Sequence, residues 1–279
     1  MWTDGLARIQ PSDAIWLVAA AVPGMAGTFP IDATAISRAS AWQQAWSLSD
    51  RSLRQLSFTR ATVGRRRLLL GEQSPSPQPW GQLLDLHGDG AAFGGLVLSH
   101  GPESHQLMPA PVCPLFDCDV DIWTLTLLQL LASFAASTGA AGDLDVRFQL
   151  LRAKALGSVS ADSEQDVAGG QKVVPPVALV MVDAAIGSHW IPWGPRHTVQ
   201  TPEPVTQTVS MTVAADSGDL VSAAFYLAAD LVAEFGEPEP VMLRGDGCVD
   251  LAQLRRDREL VEGWASRCDV RAADFTVPR

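Results

Sequence analysis

The sequence predicts a mixed α+β fold in which antiparallel hairpins and short sheets pack against apolar helices, arranged as two similar lobes. Three observations carry this. Gly88-Asp89-Gly90 separates two strand-like runs, and an Asp-Gly pair supplies the positive φ angles of a tight hairpin. Two runs, one opened by Asp119 or Asp121 and one by Ser217, repeat apolar residues at helical spacing and stop at glycine. Each half holds one such helix, its glycine stop and a strand, with the hairpins on opposite sides of that unit. The organisation expected is a helical N-terminal segment (1–64), a lobe (65–153), a linker or mobile loop (154–176) and a second lobe (177–279).

In chain order, Asp32 or Thr34 caps a helix to about Leu48, and Ile36, Ala39, Trp42, Gln43 and Trp46 share one face. A shorter helix follows Ser49, with Leu53 and Leu56 inward. Leu68 to Leu70 is strand-like. Gly71 to Pro79 holds three prolines at a spacing no helix tolerates, so it is a loop. Leu83–His87 and Ala91–Leu98 form the hairpin around Gly88-Asp89-Gly90, and Pro102–Pro114 is irregular. The most apolar helix presents Trp123, Leu127, Leu130, Leu131 and Phe134, and Gly139 and Gly142 end it. Asp145–Leu151 alternates as a strand. In the second half, Val177–Val182 reads as a buried strand and Val205–Val213 as a half-exposed one. Leu220, Ala224, Leu227, Leu231 and Phe235 line the next helix, which Gly236 and Pro238 stop. Val241–Leu243, Gly245-Asp246-Gly247 and Val249 make a second short hairpin. Asp250 caps a last helix through Leu254, Val261, Trp264 and Ala265.

Hydrophobic residues form 47% of the 279 and charged residues 18%, which excludes a disordered chain. The net charge of −11 argues against a protein whose whole surface binds polyanions, but leaves room for a local basic patch. The four cysteines (Cys113, Cys118, Cys248, Cys268) are too sparse for a disulfide framework and read as reduced thiols. The apolar run Ile15–Val22 follows Asp4 and Asp13 with a lone Arg8, which is not how an export signal begins. Ile122–Ala136 is interrupted by Thr124, Thr126, Gln129 and Ser133 and is too short for a span of about 20 apolar residues. A cytoplasmic protein with no membrane contact is expected.

Most familiar chemistry is missing. Phe93 to Leu98 after Gly88-Asp89-Gly90 is strand-like, whereas a dinucleotide-binding turn must open a helix. Asp117, Asp119 and Asp121 imitate a calcium loop, but its sixth and twelfth positions hold Ile122 and Leu128. Ser99-His100 and Ser188-His189 are strand neighbours facing opposite ways, so neither forms a nucleophile–base pair. No P-loop, nucleophile elbow or zinc-protease helix is present. No catalytic residue, metal site or cofactor is predicted.

Two segments stand out. Arg51, Arg54, Arg60, Arg65, Arg66 and Arg67 crowd one stretch against a single acid, Asp50, and are candidate contacts for nucleic acid or another anion. The alternative is a solvated face neutralised by the protein's own acids. His189, Trp190, Trp193, Arg196 and His197 fall within nine residues and could line a pocket. The alternative there is a proline-rich loop that pins its aromatic residues to the core.

Arg65-Arg66-Arg67 running into a strand, the Leu83–Leu98 hairpin with its His-Gly-Asp-Gly turn, Leu231–Gly236 followed by Gly-Asp-Gly, and Val261–Val270 together form a pattern. Over residues 60–152 and 205–270 it resembles regions flanking the core of actinobacterial Schlafen/AlbA-type proteins, labelled DNA-binding or ATP-binding. That resemblance implies nucleic-acid contact, with nuclease or regulatory roles. The family's acidic catalytic set and Asn-x-x-Gly-Gly segment are absent, so no active-site residue is carried over.

The leading expectation is a non-enzymatic binding or regulatory module of a bacterial cytoplasmic system, contacting nucleic acid through the arginine-rich segment. One alternative is a structural, homo-oligomerising subunit of an assembly, its apolar helices and nine tryptophans forming the interface. Another is a small-molecule binder or enzyme using the His189–His197 loop.

Overall fold

The computed structural model describes residues 1–9, 15–47, 53, 56, 58, 60–73, 81–99, 112–152, 178–182, 202–212, 217–252, 254 and 257–275. The α+β class holds. Seven strands form one antiparallel sheet. They are β1 (Ile15–Met25), β2 (Ala61–Val63), β3 (Arg67–Gln73), β4 (Gly81–His87), β5 (Ala92–Ser99), and, after a short strand β6 (Val112–Phe116), β7 (Ala141–Arg152). Beyond β8 (Ala178–Val182), β9 (Val205–Ser210) completes the sheet, whose order is β2-β3-β4-β5-β1-β7-β9. β6 and β8 pair separately, in parallel.

The sheet's centre corrects the reading of residues 1–64 as helical. The segment contains α1 (Trp2–Leu6) and α2 (Ala35–Ser47), but its apolar run is β1, paired with β5 on one side and β7 on the other. Ile15, Leu17, Ala19 and Ala21 enter the main core, while Trp16, Val18 and Ala20 enter a second apolar cluster on the opposite face. A strand covered on both faces shows no alternation, hence its unbroken hydrophobicity.

α3 (Asp117–Ser137) lies across the main-core face. Gly94 permits its close approach, since a Cβ there would stand 3.0 Å from Leu127 Cδ2. α3 is long and apolar enough to cross a membrane, yet 78% of its most apolar window is buried within the protein. It is a core helix. Gly139 ends it at φ +76° and Gly142, at φ +82°, begins the return along β7. α4 (Ser217–Ala233) packs on the same core through Leu220, Ala224, Leu227 and Leu231, with Phe235 beyond its end, and Gly236 follows at φ +78°. Within α2, Trp46 is buried and Trp42 packs edge-on to Phe134, with ring centroids 5.4 Å apart. Ile36, assigned to the same face, is 41% exposed. Leu53 and Leu56 are buried, and the latter's carbonyl accepts a bond from Gln43 Nε2; the rest of the helix expected after Ser49 lies outside the described residues.

Both expected hairpins are present. Gly90 takes φ +90° in the first, where Ala91 N–H donates to Asp89 Oδ1. In the second, Leu243 bridges Val249 across Gly245-Asp246-Gly247. Asp250 does not cap the last helix. It lies in a two-residue strand, β10 (Val249–Asp250), and α5 (Arg258–Arg267) has Asp257 at its N-cap. β10 pairs in parallel with β11 (Ala272–Ala273), a contact that two-residue strands cannot announce in sequence. The expected linker, 154–176, lies outside the described residues. The segments before and after it share the seven-stranded sheet, and one core runs from Ile15 to Val270.

One buried carboxylate ties the two segments together. Asp121, fully buried on α3, accepts N–H bonds from Met242 (2.7 Å) and Leu243 (3.4 Å). Burial pushes its carboxyl up to about 7; the backbone bonds pull the other way, and neighbouring Asp117 adds to the rise. Of the acids that imitate a calcium loop, Asp117 and Asp119 lie in the first turn of α3, where Asp117 Oδ1 accepts the Cys118 N–H, while Asp121 reaches across to Met242. Among the described residues no three His, Cys, Asp or Glu groups converge to hold a metal.

Candidate functional site

The arginine-rich stretch ends in an edge hairpin. Ala61, Thr62 and Val63 pair with Leu70, Leu69 and Leu68, and Gly64 N–H donates to the Arg67 carbonyl at 2.8 Å. Arg65 and Arg66 form the tip. The neighbouring turn braces it, since Gly88 N–H donates to the Arg66 carbonyl at 3.2 Å. Both tip side chains are exposed, and no carboxylate among the described residues pairs with them. Arg60, also exposed, has an interaction within the protein. Arg51 and Arg54 lie outside the described residues.

Arg67 is different because strand alternation turns it inward. Leu68 and Leu70 face the main core, so Arg67 and its cross-strand partner His87 face the second cluster, beside Asp85. Asp85 is fully buried, and neither of its oxygens makes a hydrogen bond. Two guanidinium groups and an imidazole surround it instead: Arg8 Nη1 lies 3.2 Å from Oδ2, His87 Nε2 3.7 Å and Arg67 Nη1 3.9 Å. Arg67 Nη1 also lies 3.8 Å from the exposed Asp4 of α1. The guanidinium of Arg67 is therefore committed to the fold and positions the hairpin, leaving Arg65 and Arg66 to face solvent.

α1 reaches this cluster because it lies flat on the sheet. Trp2 meets Phe93 edge-on at 5.8 Å, Arg147 stacks over Trp2 at 4.5 Å, and Ile9 is buried beyond the helix. Gly5 makes the fit possible, since a Cβ there would stand 2.5 Å from the Phe93 ring.

Sequence reasoning found the arginines but missed Asp4, Arg8, Asp85 and His87. A signal existed: Asp85 interrupts Leu83-Leu84-Asp85-Leu86 on a central strand, and a charge in such a place must find partners. Residues His189, Trp190, Trp193, Arg196 and His197 all lie outside the described residues. The cysteines Cys118, Cys248 and Cys268 are free thiols, and burial raises that of Cys118. The exposed guanidinium pair can hold a phosphate or carboxylate, and nothing in the cluster pairs a nucleophile with a base. No protein-family model, curated protein or solved structure matches the chain.

Proposed function

We propose that the protein is a non-enzymatic binding or regulatory module of the cytoplasm that holds a nucleic-acid backbone at the tip of its β2–β3 hairpin. The observation that carries this reading is the exposure of Arg65 and Arg66 without a carboxylate partner, in a chain of net charge −11. Guanidinium groups bind phosphate oxygens in pairs of parallel bonds, and a local positive tip draws in a polyanion despite an acidic whole. The inward pull on Arg67 and the bond from Gly88 support the tip as a preformed contact. The resemblance to regions flanking Schlafen/AlbA cores points to the same partner.

The test is fluorescence anisotropy with a labelled DNA duplex and a labelled single-stranded RNA, titrated across salt. Binding should weaken steeply with salt, and Arg65→Ser/Arg66→Ser should lower the log–log slope on duplex by roughly two. No binding to either probe at low salt, or unchanged binding by the double variant, overturns the reading.

A further inference from the structure

A second site lies at the other end of the chain. Between Leu243 and Val249 the backbone turns tightly: Arg244 N–H donates to the Cys248 carbonyl at 3.1 Å, and Gly247 N–H donates to the Arg244 carbonyl at 3.0 Å. Gly247 sits at φ +78°, and a Cβ there would stand 2.7 Å from the Gly218 carbonyl oxygen, so the turn is pressed against the start of α4. Beside it opens a cleft of about 420 Å³, lined by Phe225, Glu239, Arg244, Asp246, Asp250 and Phe275 among others. That volume falls in the lower part of the range for small-molecule sites, ~300–1,000 Å³.

Its charged groups are unevenly satisfied. The Arg244 guanidinium stacks 4.4 Å from the centre of the Phe275 ring, which fixes its plane. Its Nε is shut off from solvent and makes no hydrogen bond. The nearest carboxylate oxygen, Asp246 Oδ1, stands 3.6 Å away, too far for one. Asp246 is shared, because its Oδ2 accepts Arg271 Nη2 at 3.1 Å, and Arg271 lies 5.5 Å from the same ring. One carboxylate therefore faces two guanidinium groups. Across the lining, exposed Glu239 has no hydrogen-bond or ionic partner among the described residues. Asp250 uses Oδ1 to accept from Ala252 N–H (2.9 Å) and Phe275 N–H (3.3 Å), and no described donor meets its Oδ2.

A guanidinium held flat with donors to spare wants an anion. Carboxylates with open oxygens in the same cleft want a cation. Phe225 and Phe275 add apolar surface between them. We propose that this cleft binds a small zwitterion of the amino-acid class, with its carboxylate on Arg244 and its ammonium on Glu239 and Asp250. An apolar side chain on the ligand would rest against the two phenylalanines. This site is separate from the β2–β3 hairpin and does not depend on the nucleic-acid reading.

The test uses the full chain in calorimetric titration with L-phenylalanine, 3-phenylpropionate (no ammonium) and phenylalaninamide (no carboxylate). L-Phenylalanine should bind saturably, and each analogue should bind roughly tenfold more weakly, as expected for losing one bond to a charged group. Arg244→Gln should reduce L-phenylalanine affinity by roughly tenfold or more. Exposed Glu239→Gln, which threatens folding least, should weaken L-phenylalanine binding without weakening that of 3-phenylpropionate. Absence of saturable binding by L-phenylalanine, L-leucine and L-glutamate alike overturns the proposal. So does equal binding of 3-phenylpropionate, or parental affinity in both variants.

Discussion

Asp85 and Asp121 are both fully buried carboxylates, yet the protein treats them in opposite ways. Around Asp85 stand the guanidinium groups of Arg8 and Arg67 and the His87 imidazole, all within 4 Å, and no hydrogen bond. Around Asp121 stand backbone N–H donors, no cation among the described residues, and a neighbouring acid that raises its carboxyl further. The first is ringed by basic side chains, and it gathers distant segments of chain in one place. The second meets only backbone dipoles, too few to offset its burial, so it retains its proton to unusually high pH. The difference lies in the kind of partner that each buried carboxylate meets.

The comparison is broken most severely by Asp85→Ala. Removing the buried carboxylate leaves Arg8 without its partner and Arg67 with only the exposed Asp4, and the loss should be about 3–5 kcal/mol, read from the urea midpoint. A loss below about 1 kcal/mol would mean that the basic groups left behind find water instead.

Asp121→Asn probes the other side. Its folded carboxyl titrates near 7 against an ordinary value of 3.8. The folded state therefore holds the proton more tightly, and stability falls as pH rises from about 4 to about 7. Asparagine keeps an oxygen for the Met242 N–H and removes the titration. The variant should lose this downward slope, a difference of up to about 4 kcal/mol across the window. Parallel pH–stability curves for parent and variant would refute the assignment.

Smaller effects grade the Asp85 cluster. Arg8→Met keeps most of the packing and removes the nearest cation, with Arg67 and His87 remaining. It should cost about 1–3 kcal/mol by thermal melt, less than Asp85→Ala. Asp4→Asn touches only the exposed arm of the Arg67 pair. It should change stability by no more than about 0.5 kcal/mol, and the change should vanish at high salt.

Legibility followed the range of the forces involved. The Gly88-Asp89-Gly90 hairpin, α4 and its glycine stop were readable because turn chemistry and helical spacing are local. β1 was not, since covering both faces erased the alternation that marks a strand. β10 and β11 were too short to carry a pattern. In the hairpin site, six arginines were visible as a cluster, but nothing local separates Arg67 from Arg65. That distinction comes from Asp4, Arg8 and Asp85, which only the folded sheet brings together. The same holds for Asp121, whose partners arrive some 120 positions later in the chain. Arg244 and Phe275 likewise meet only through folding.

The place of β1 in the sheet has a consequence for synthesis. It is the earliest strand in the chain, yet its two neighbours are residues 92–99 and 141–152. While the ribosome makes the intervening stretch, this long apolar strand has neither edge satisfied and neither face covered. Such long-range closure slows folding and leaves nascent chains prone to self-association. Until β7 emerges, β1 lacks the second of its two partners.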